Sequence, residues 1–270
     1  MPFAIAVLLG IVEGLTEYLP VSSTGHLVLV GHWLGLRDDD PATSSFEIVI
    51  QLGAVLAVVA HYRALLVERG RGLFARDPAS IRLLSAIAIA FAPTAALGLL
   101  LRKTIKEHLF GPVPVAAALL IGGVAMIVVE RARARLGVHG DDGLDRVTPR
   151  RALAIGLGQC VSLWPGASRA MCTIVAGQLA GLSTATAAEF SFLLALPTLG
   201  AATIYEGFKA RHTLAAHVGG LSVAVGLVVS FVFGWAVIAT FLRYLRTRGL
   251  EPFGWYRILV GATALWVLAR

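Results

Sequence analysis

The sequence predicts an all-α polytopic membrane protein built from two inverted-topology repeats, each a re-entrant helix-loop-helix followed by three transmembrane helices. Of its 270 residues, 57% are hydrophobic and only 14% are charged, whereas soluble domains carry about 25% charged residues. Two polar, glycine-rich stretches interrupt the apolar sequence, and the arginines are concentrated in a few short loops. These observations indicate, in turn, the membrane class, the re-entrant segments and the orientation of the halves.

Re-entrant segments are predicted where the two polar stretches lie, at 10–26 (GIVEGLTEYLPVSSTGH) and 156–173 (GLGQCVSLWPGASRAMCT). Pro20 ends a helix in the first stretch, because proline lacks an N–H and clashes with the preceding turn. Pro165 and Gly166 break the second stretch. Each arm is too short to cross a hydrocarbon core of about 30 Å. The predicted re-entrant hairpins span 3–36 and 152–182.

Six further apolar segments are each close to the roughly 20 residues that a membrane crossing needs. In the first repeat, residues 1–135, they lie near 46–62, 83–101 and 112–130; in the second, residues 150–270, they lie near 186–207, 216–242 and 253–269. The two cysteines give neither a disulfide framework nor a metal-ligand pattern. The sequence therefore predicts a chain that lies almost entirely in the membrane.

Arginine-rich loops at 63–82, 131–151 and 243–248 set the predicted orientation. The positive-inside rule places such loops on the cytoplasmic side. The net charge of +7 is therefore interpreted as loops that face anionic lipid, and not as a nucleic-acid surface. All three loops are cytoplasmic only if each broken segment returns to the side from which it entered. Both termini are then outside, the first broken segment enters from outside, and the second enters from the cytoplasm.

A short internal sequence similarity supports the predicted repeat, since Pro20-x-x-Ser23 corresponds to Pro165-x-x-Ser168. Non-helical backbone at membrane depth is tolerated only where it is buried in protein or lines a wet cavity. Two breaks that enter from opposite faces are expected to meet near the midplane. Helix N-termini at that point would direct their positive dipole ends at an anion.

Charged and hydroxyl side chains at the breaks predict an anion site. Arg169 follows the second break and is expected to grip phosphate oxygens bidentately, with Ser168 and Thr173 on the same wall. Glu13 and Glu17 are one helical turn apart and predict a site for a hard divalent cation, whose ligand shell is completed by phosphate oxygens. The alternatives left open are an arginine that reaches for the membrane surface and acids that each make one buried hydrogen bond.

The residues that follow the first break add hydroxyl groups and a histidine. Ser22, Ser23 and Thr24 are interpreted as helix caps or phosphate ligands, two uses that are compatible because both employ the exposed N–H groups. His26 is a candidate general acid, general base or transient nucleophile, with a hydrogen-bonded core histidine as the alternative. Ser23 is a second candidate nucleophile, with His26 as its base. Metal-activated water is the third.

The sequence resembles the bacterial undecaprenyl-diphosphatase family of integral membrane phosphatases, which is associated with bacitracin resistance. The resemblance is carried by EGLTEYLPVSSTGHL at 13–27 and WPGASR at 164–169, and it extends to FEIVIQLGAVLAV at 46–58 and EFSFLLALP at 189–197. It implies hydrolysis of undecaprenyl diphosphate to undecaprenyl phosphate, which recycles the lipid carrier for cell-wall synthesis. It also implies a divalent cation, Mg²⁺ or Ca²⁺, and a multi-pass protein of the bacterial inner membrane whose active site faces the periplasm.

Site residues are carried over from the family by position. Catalytic roles are expected for Glu17, Ser23, His26 and Arg169, substrate-binding roles for Ser22, Thr24, Ser168, Arg169 and Thr173, and metal ligation for Glu13 and Glu17. The second motif departs from the family pattern, because Ala170 and Met171 stand where a serine and a glycine are usual. Neither change alters Arg169, so activity is expected to persist with altered packing around Thr173.

A secondary transporter or flippase of a polyprenyl phosphate or another anion is the alternative function, because inverted repeats with broken helices are typical of transporters. The combination of an arginine, paired acids, a histidine and hydroxyl-rich helix starts favours phosphoryl chemistry instead. The expected partners are the polyprenyl diphosphate substrate and membrane lipids, with no nucleic acid. A homodimer is left open as the assembly.

Overall fold

The computed structural model describes residues 1–36, 40–109 and 111–269, and this part of the chain is predominantly helical, with no β-strand. Thirteen α-helices follow one another: α1 (Phe3–Thr16), α2 (Ser23–Trp33), α3 (Pro41–His61), α4 (Arg63–Phe74), α5 (Pro78–Leu100), α6 (Arg102–His108), α7 (Pro112–Arg135), α8 (Pro149–Cys160), α9 (Arg169–Leu179), α10 (Thr184–Lys209), α11 (Arg211–Thr213), α12 (Gly220–Leu245) and α13 (Glu251–Leu268). Short 3₁₀ turns lie at Leu144–Arg146 and Val161–Leu163, and a π-helical turn lies at Leu214–Val218.

Five of the described helices are long and apolar enough to cross a membrane: α3, α5, α7, α10 and α12. They coincide with the predicted spans near 46–62, 83–101, 112–130, 186–207 and 216–242 and confirm the all-α polytopic membrane class, while the boundaries of the individual spans stay predictions. The sixth predicted span, near 253–269, is helical but falls outside this group. Its 18 residues include Glu251 and Arg257 in the first half, and these charges lower the hydropathy of the helix.

Both predicted helix–break–helix segments are present. In the first, α1 has 14 residues and α2 has 11, so neither arm reaches the roughly 20 residues of a membrane span. In the second, α8 has 12 residues and α9 has 11. We call residues 17–22 the first break and residues 161–168 the second break. The proline-containing breaks therefore interrupt the helices where the sequence predicted.

Helices from the two predicted halves exchange packing partners. Helix α1 packs along α12, α8 packs along α5, α3 lies between α10 and α12, and α7 packs against α13. In each of these contacts a helix of one half packs on the other half. Helices α1, α7 and α8 each pack mainly on one helix of the other half, whereas α3 packs on two. This exchange is what two interleaved repeats would give. The relation of 1–135 to 150–270 by inverted symmetry stays a prediction.

Glycines allow α1 and α3 to approach α12 closely. A Cβ atom added at Gly14 would lie 2.6 Å from the carbonyl oxygen of Ser230, and one added at Gly53 would overlap the carbonyl oxygen of Leu227. Small residues at helix contacts are the usual means of close packing in membranes, where lipid is as apolar as the helix surfaces. Because α1 carries Glu13 and ends next to Glu17, its C-cap, this packing also sets the position of both glutamates.

We expect Gly53→Ala to lower the thermal stability of the protein in detergent. The added methyl group overlaps backbone of α12, and overpacking of this kind costs about 1–3 kcal/mol. Differential scanning fluorimetry measures the shift. Gly207→Ala is the matched control, because its added Cβ would meet its nearest neighbour, a methyl group of Val49, at an ordinary 3.5 Å. Equal midpoints for the two variants would contradict the proposed close packing.

Candidate active site

The two breaks meet at a polar cavity of about 210 Å³. The first break and the start of α2 form one wall, and the second break and the start of α9 form the facing wall, while α3, α5 and α10 complete the enclosure. The lining residues are Glu17, Ser22, Ser23, Thr24, Gln51, Thr94, Ser162, Leu163, Pro165, Gly166, Ser168, Arg169, Thr198 and Leu199. Segments that are far apart in sequence thus supply one hydroxyl-rich pocket.

A buried ion pair joins the two walls. Arg169 Nη2 donates to Glu17 Oε1 at 2.9 Å, and both side chains are less than a tenth exposed. Arg169 Nη1 donates to the carbonyl oxygen of Ser191 at 2.9 Å and lies 3.2 Å from its hydroxyl. The guanidinium also lies 5.8 Å from the ring centroid of Tyr18, which favours a cation. These contacts fix the head group of Arg169 at the edge of the cavity.

One donor of Arg169 is left over. Its Nε is buried and has no hydrogen-bond partner among the residues that the structure describes. An unpaired buried donor costs about 1–3 kcal/mol, and Arg169 lines the cavity, so a ligand that supplies an acceptor there would remove this cost. A phosphate oxygen is suited to this position, because arginine binds phosphate through a planar fork of N–H groups.

Ser23 is hydrogen-bonded to the same glutamate. Its Oγ donates to Glu17 Oε2 at 2.6 Å, so the two carboxylate oxygens of Glu17 contact Arg169 on one side and Ser23 on the other. A hydroxyl within hydrogen-bond reach of a base that a third group orients is the usual geometry of an activated nucleophile. Glu17, rather than His26, therefore has the geometry of a base toward Ser23.

Two helix N-termini begin at the cavity. Ser22 caps α2 by accepting a hydrogen bond from the Gly25 N–H, and Ser168 caps α9 by accepting one from the Met171 N–H, each at 3.2 Å. Both serines have left-handed backbone, with φ of 75° and 71°, a conformation that costs non-glycine residues energy and is concentrated at functional sites. Helix N-termini with exposed N–H groups are ready-made anion sites. The serines thus serve as caps, and the same geometry suits phosphate.

Six of the nine predicted site residues line the cavity: Glu17, Ser22, Ser23, Thr24, Ser168 and Arg169. Thr173 does not line it. Its hydroxyl donates to the carbonyl oxygen of Arg169 at 2.8 Å and lies 2.6 Å from the hydroxyl of Ser191. Thr173 therefore contacts the backbone and the partner of Arg169, and its predicted contact with substrate stays a prediction.

His26 also lies away from the cavity lining. Its Nδ1 is 2.7 Å from the carbonyl oxygen of Ser22, and its Nε2 is 2.7 Å from the hydroxyl of Tyr256. The two rings are stacked, with centroids 5.6 Å apart. In this arrangement both ring nitrogens contact groups other than Ser23, which matches the hydrogen bonding of the alternative interpretation, although His26 is only half-buried and is not a core residue.

Glu13 lies fully buried behind the cavity, one helical turn from Glu17. Neither of its carboxylate oxygens has a hydrogen-bond partner in the described ranges. An unpaired buried carboxylate is costly, so these oxygens fit a group that brings positive charge. The described residues contain no cluster of three or more His, Cys, Asp or Glu side chains placed to hold a metal ion. A cation here would therefore need ligands that the protein does not supply.

A wider cavity and an apolar groove continue from the site. The wider cavity measures about 590 Å³ and shares Thr24, Gln51 and Pro165 with the polar cavity. The groove measures about 420 Å³, lies between α2 and α13, and shares Val28 and Pro112 with the wider cavity. The three spaces together offer a polar end for a head group and an apolar end for a hydrocarbon chain.

The sequence analysis missed two residues that contact this site. Ser191 holds Arg169, but nothing distinguishes it from other serines on an apolar helix. Arg257, on α13, donates hydrogen bonds to backbone of both breaks. A charged side chain inside a predicted span marks a functional site by default, so the arginine within 253–269 was the signal that could have identified it.

Comparison with known proteins agrees with this geometry. The family model described as bacitracin resistance protein BacA matches residues 6–263. The chain is 59% identical over 263 residues to an undecaprenyl-diphosphatase of Sorangium cellulosum, covering 97% of this chain and 85% of that protein. It is 44% identical over 265 residues to an undecaprenyl-diphosphatase of Rhizorhabdus wittichii, covering 98% and 97%, and 45% identical over 270 residues to one of Thermoanaerobacter pseudethanolicus, covering 98% and 96%. The chain therefore belongs to the BacA family of bacitracin resistance proteins.

Proposed function

We propose that this chain hydrolyses undecaprenyl diphosphate to undecaprenyl phosphate and inorganic phosphate in the bacterial inner membrane. The observation that carries the proposal is the Arg169–Glu17 ion pair, which joins two helix breaks at a cavity where two helix N-termini begin. The relatives at 44–59% identity that are named undecaprenyl-diphosphatase support the substrate. The activity recycles a lipid carrier and accounts for the bacitracin resistance in the family's name.

The terminal phosphate of the substrate is proposed to lie between the two helix starts. Its oxygens accept from the unpaired Nε of Arg169 and from N–H groups near Ser22 and Ser168. Phosphoryl transfer depends mainly on positioning and on stabilisation of charge at the transferring group. The buried guanidinium of Arg169, held by Glu17 and Ser191, supplies both.

Ser23 is the nucleophile that the geometry favours. Its Oγ attacks the terminal phosphorus while Glu17 accepts its proton, the bond from that phosphorus to the bridging oxygen breaks, and undecaprenyl phosphate leaves. Water then hydrolyses the phosphoserine and releases inorganic phosphate. Ser23 is preferred to His26 because Ser23 lines the cavity and is bonded to Glu17, whereas both nitrogens of His26 contact other groups. Attack by metal-activated water is the remaining alternative.

A divalent cation, Mg²⁺ or Ca²⁺, is proposed to bind together with the diphosphate. Glu13 and Glu17 would hold it, since the oxygens of Glu13 lack partners in the described structure. Mg²⁺ commonly binds through one or two carboxylates and completes its shell with substrate phosphates and water, which suits a site with few acidic groups. The cation would supply neutralisation of phosphate charge.

The site is proposed to face the periplasm. Thr94 lies in the last third of α5, far from the arginine-rich loop at 63–82 that precedes this helix. Thr43 and Glu47 of the wider cavity lie near the start of α3, whose other end, His61, leads into the same loop. With that loop in the cytoplasm, the cavities open toward the opposite side.

A transporter or flippase is not favoured, because an arginine, a hydroxyl bonded to a carboxylate and two helix starts converge on one small cavity.

A homodimer remains a prediction. Multi-angle light scattering of the purified protein in detergent would give its mass.

We expect the purified protein in detergent to release phosphate from undecaprenyl diphosphate in the presence of Mg²⁺, and chelation to abolish the release. Arg169→Ala should lower kcat/KM by about a thousandfold or more, as loss of a charge-stabilising donor does. Arg131→Ala is the control, because Arg131 forms an exposed ion pair with Glu251 and such pairs contribute little. Unchanged hydrolysis by Arg169→Ala would refute the assigned site, and a folded wild type that releases no phosphate would favour the transporter.

Acid quenching during turnover should trap phosphoserine at Ser23. With substrate labelled in its terminal phosphate, the label is expected on the peptide that contains Ser23 in the wild type and is expected to be absent from Ser23→Ala. His26→Asn should keep the label, because His26 lies outside the cavity lining. Acid-labile, base-stable label on His26 in place of phosphoserine would exclude Ser23 as the nucleophile.

Thiol labelling in intact cells tests the orientation. In a variant with Cys160 and Cys172 replaced by alanine, Leu36→Cys in the wider cavity should react with a membrane-impermeant reagent applied from the periplasmic side. Arg76→Cys, in the arginine-rich loop, should react only after lysis. The reverse pattern would place the site on the cytoplasmic side.

A further inference from the structure

A second arginine, Arg257, lies completely buried behind the active-site cavity. Within the described residues, its guanidinium donates only to backbone carbonyl oxygens. The acceptors are those of Leu119 at 3.3 Å from Nε, Pro20 at 3.2 Å from Nη1, and Ala118, Gly166 and Ala167 at 3.1, 3.0 and 3.1 Å from Nη2. It makes no ion pair with a carboxylate in the described part of the chain, although arginine keeps its charge at all ordinary pH values.

These acceptors belong to three separate parts of the fold. Pro20 is in the first break, Gly166 and Ala167 are in the second break, and Ala118 and Leu119 are on α7. A single side chain on α13 thus connects both walls of the cavity to α13 itself and to α7. The planar fork of five N–H donors makes this connection feasible, whereas a lysine ammonium is a compact group with three donors and lacks that reach.

We propose that Arg257 is a positioning residue for the proposed hydrolysis, on which this inference rests. It fixes the position of the two breaks relative to each other, so that Arg169 and Ser23 contact the same phosphate group. Arg257 is absent from the cavity lining, so it acts through backbone and does not touch the substrate. Its charge is uncompensated by any described carboxylate and lies just beyond the backbone that lines the phosphate site.

The contact with Ala167 also orients a donor at the second break. The described backbone contains no cis peptide bond, and in a trans peptide the C=O and the N–H point in opposite directions. Because the Ala167 carbonyl oxygen is held by Arg257, the N–H of Ser168 is directed away from Arg257. Ser168 lines the cavity. Loss of the hydrogen bond from Arg257 to Ala167 would therefore allow the Ala167–Ser168 peptide group, which the proposed anion site uses, to rotate.

Gly122 on α7 leaves room for the guanidinium. A Cβ atom added there would overlap Nη2 of Arg257 and would lie 3.0 Å from its Cζ. The same Cβ would lie 2.9 Å from the terminal methyl group of Met171, the end of a flexible side chain. Gly122→Ala therefore crowds the guanidinium while leaving the arginine in the sequence. The chain also offers a matched control, Gly234→Ala, a buried helical glycine whose added Cβ would meet its nearest neighbour, Ala54, at 3.5 Å.

The test compares Arg257→Lys, Gly122→Ala and Gly234→Ala with the wild type in the undecaprenyl diphosphate assay, at a temperature well below the unfolding midpoint of each variant. We expect kcat to fall about a hundredfold in Arg257→Lys and Gly122→Ala, the loss that a small misplacement of reacting groups produces. KM should change by less than about threefold, since the prenyl chain still binds in the apolar groove and contributes equally before and during reaction. Gly234→Ala should match the wild type in kcat and KM.

Several results would overturn the proposal. Wild-type kcat in Arg257→Lys would mean that charge alone suffices, and wild-type kcat in Gly122→Ala would mean that the position of the guanidinium is unimportant. Loss of activity in proportion to a lowered unfolding midpoint would assign Arg257 to stability instead. A change in KM alone would assign it to substrate binding. An inactive wild type would be distinct from all of these, because it contradicts the proposed hydrolysis itself.

Discussion

The structure depends on one buried ion pair, between Arg169 and Glu17, which ties together two helix breaks that are distant in sequence. Removing two charges from water is expensive, and a buried pair is repaid only where further hydrogen bonds satisfy it. Ser23 donates a further hydrogen bond to Glu17, and Ser191 accepts one from Arg169. Since such pairs contribute little net stability, and since one donor of Arg169 stays unpaired, the arrangement is better explained by an anionic ligand than by folding.

Local signals account for the parts of the fold that the sequence predicted. Uninterrupted apolar length identified five spans, and the prolines with their neighbouring glycine and serine residues identified both breaks. The segment near 253–269 was predicted as a sixth span because its second half is apolar, and it stays a prediction. Its first half carries Glu251, which pairs with Arg131, and Arg257, which donates to backbone of other segments.

Tertiary geometry accounts for what the sequence could not predict at the site. Spacing along a helix brought Glu13, Glu17 and the serines near one another, but helix rotation decides which of them face the cavity. The position of His26 depends on Tyr256, and that of Thr173 on Ser191, and neither partner is near in sequence. Ser191 carried no recognisable signal, whereas Arg257 did, as a charge within an apolar segment.

The packing of α1 on α12 has a consequence for how the protein is made. Helix α1 is synthesised long before α12, yet its most extensive contact is with that helix, and α8 in turn packs on α5. Contacts of such sequence separation form late. Helix α1, with Glu13 on it and Glu17 at its end, must therefore wait in the bilayer until α12 has emerged from the ribosome. A truncated chain that ends before α12 would leave those acids in lipid without their protein surroundings, and would be a natural target for membrane quality control.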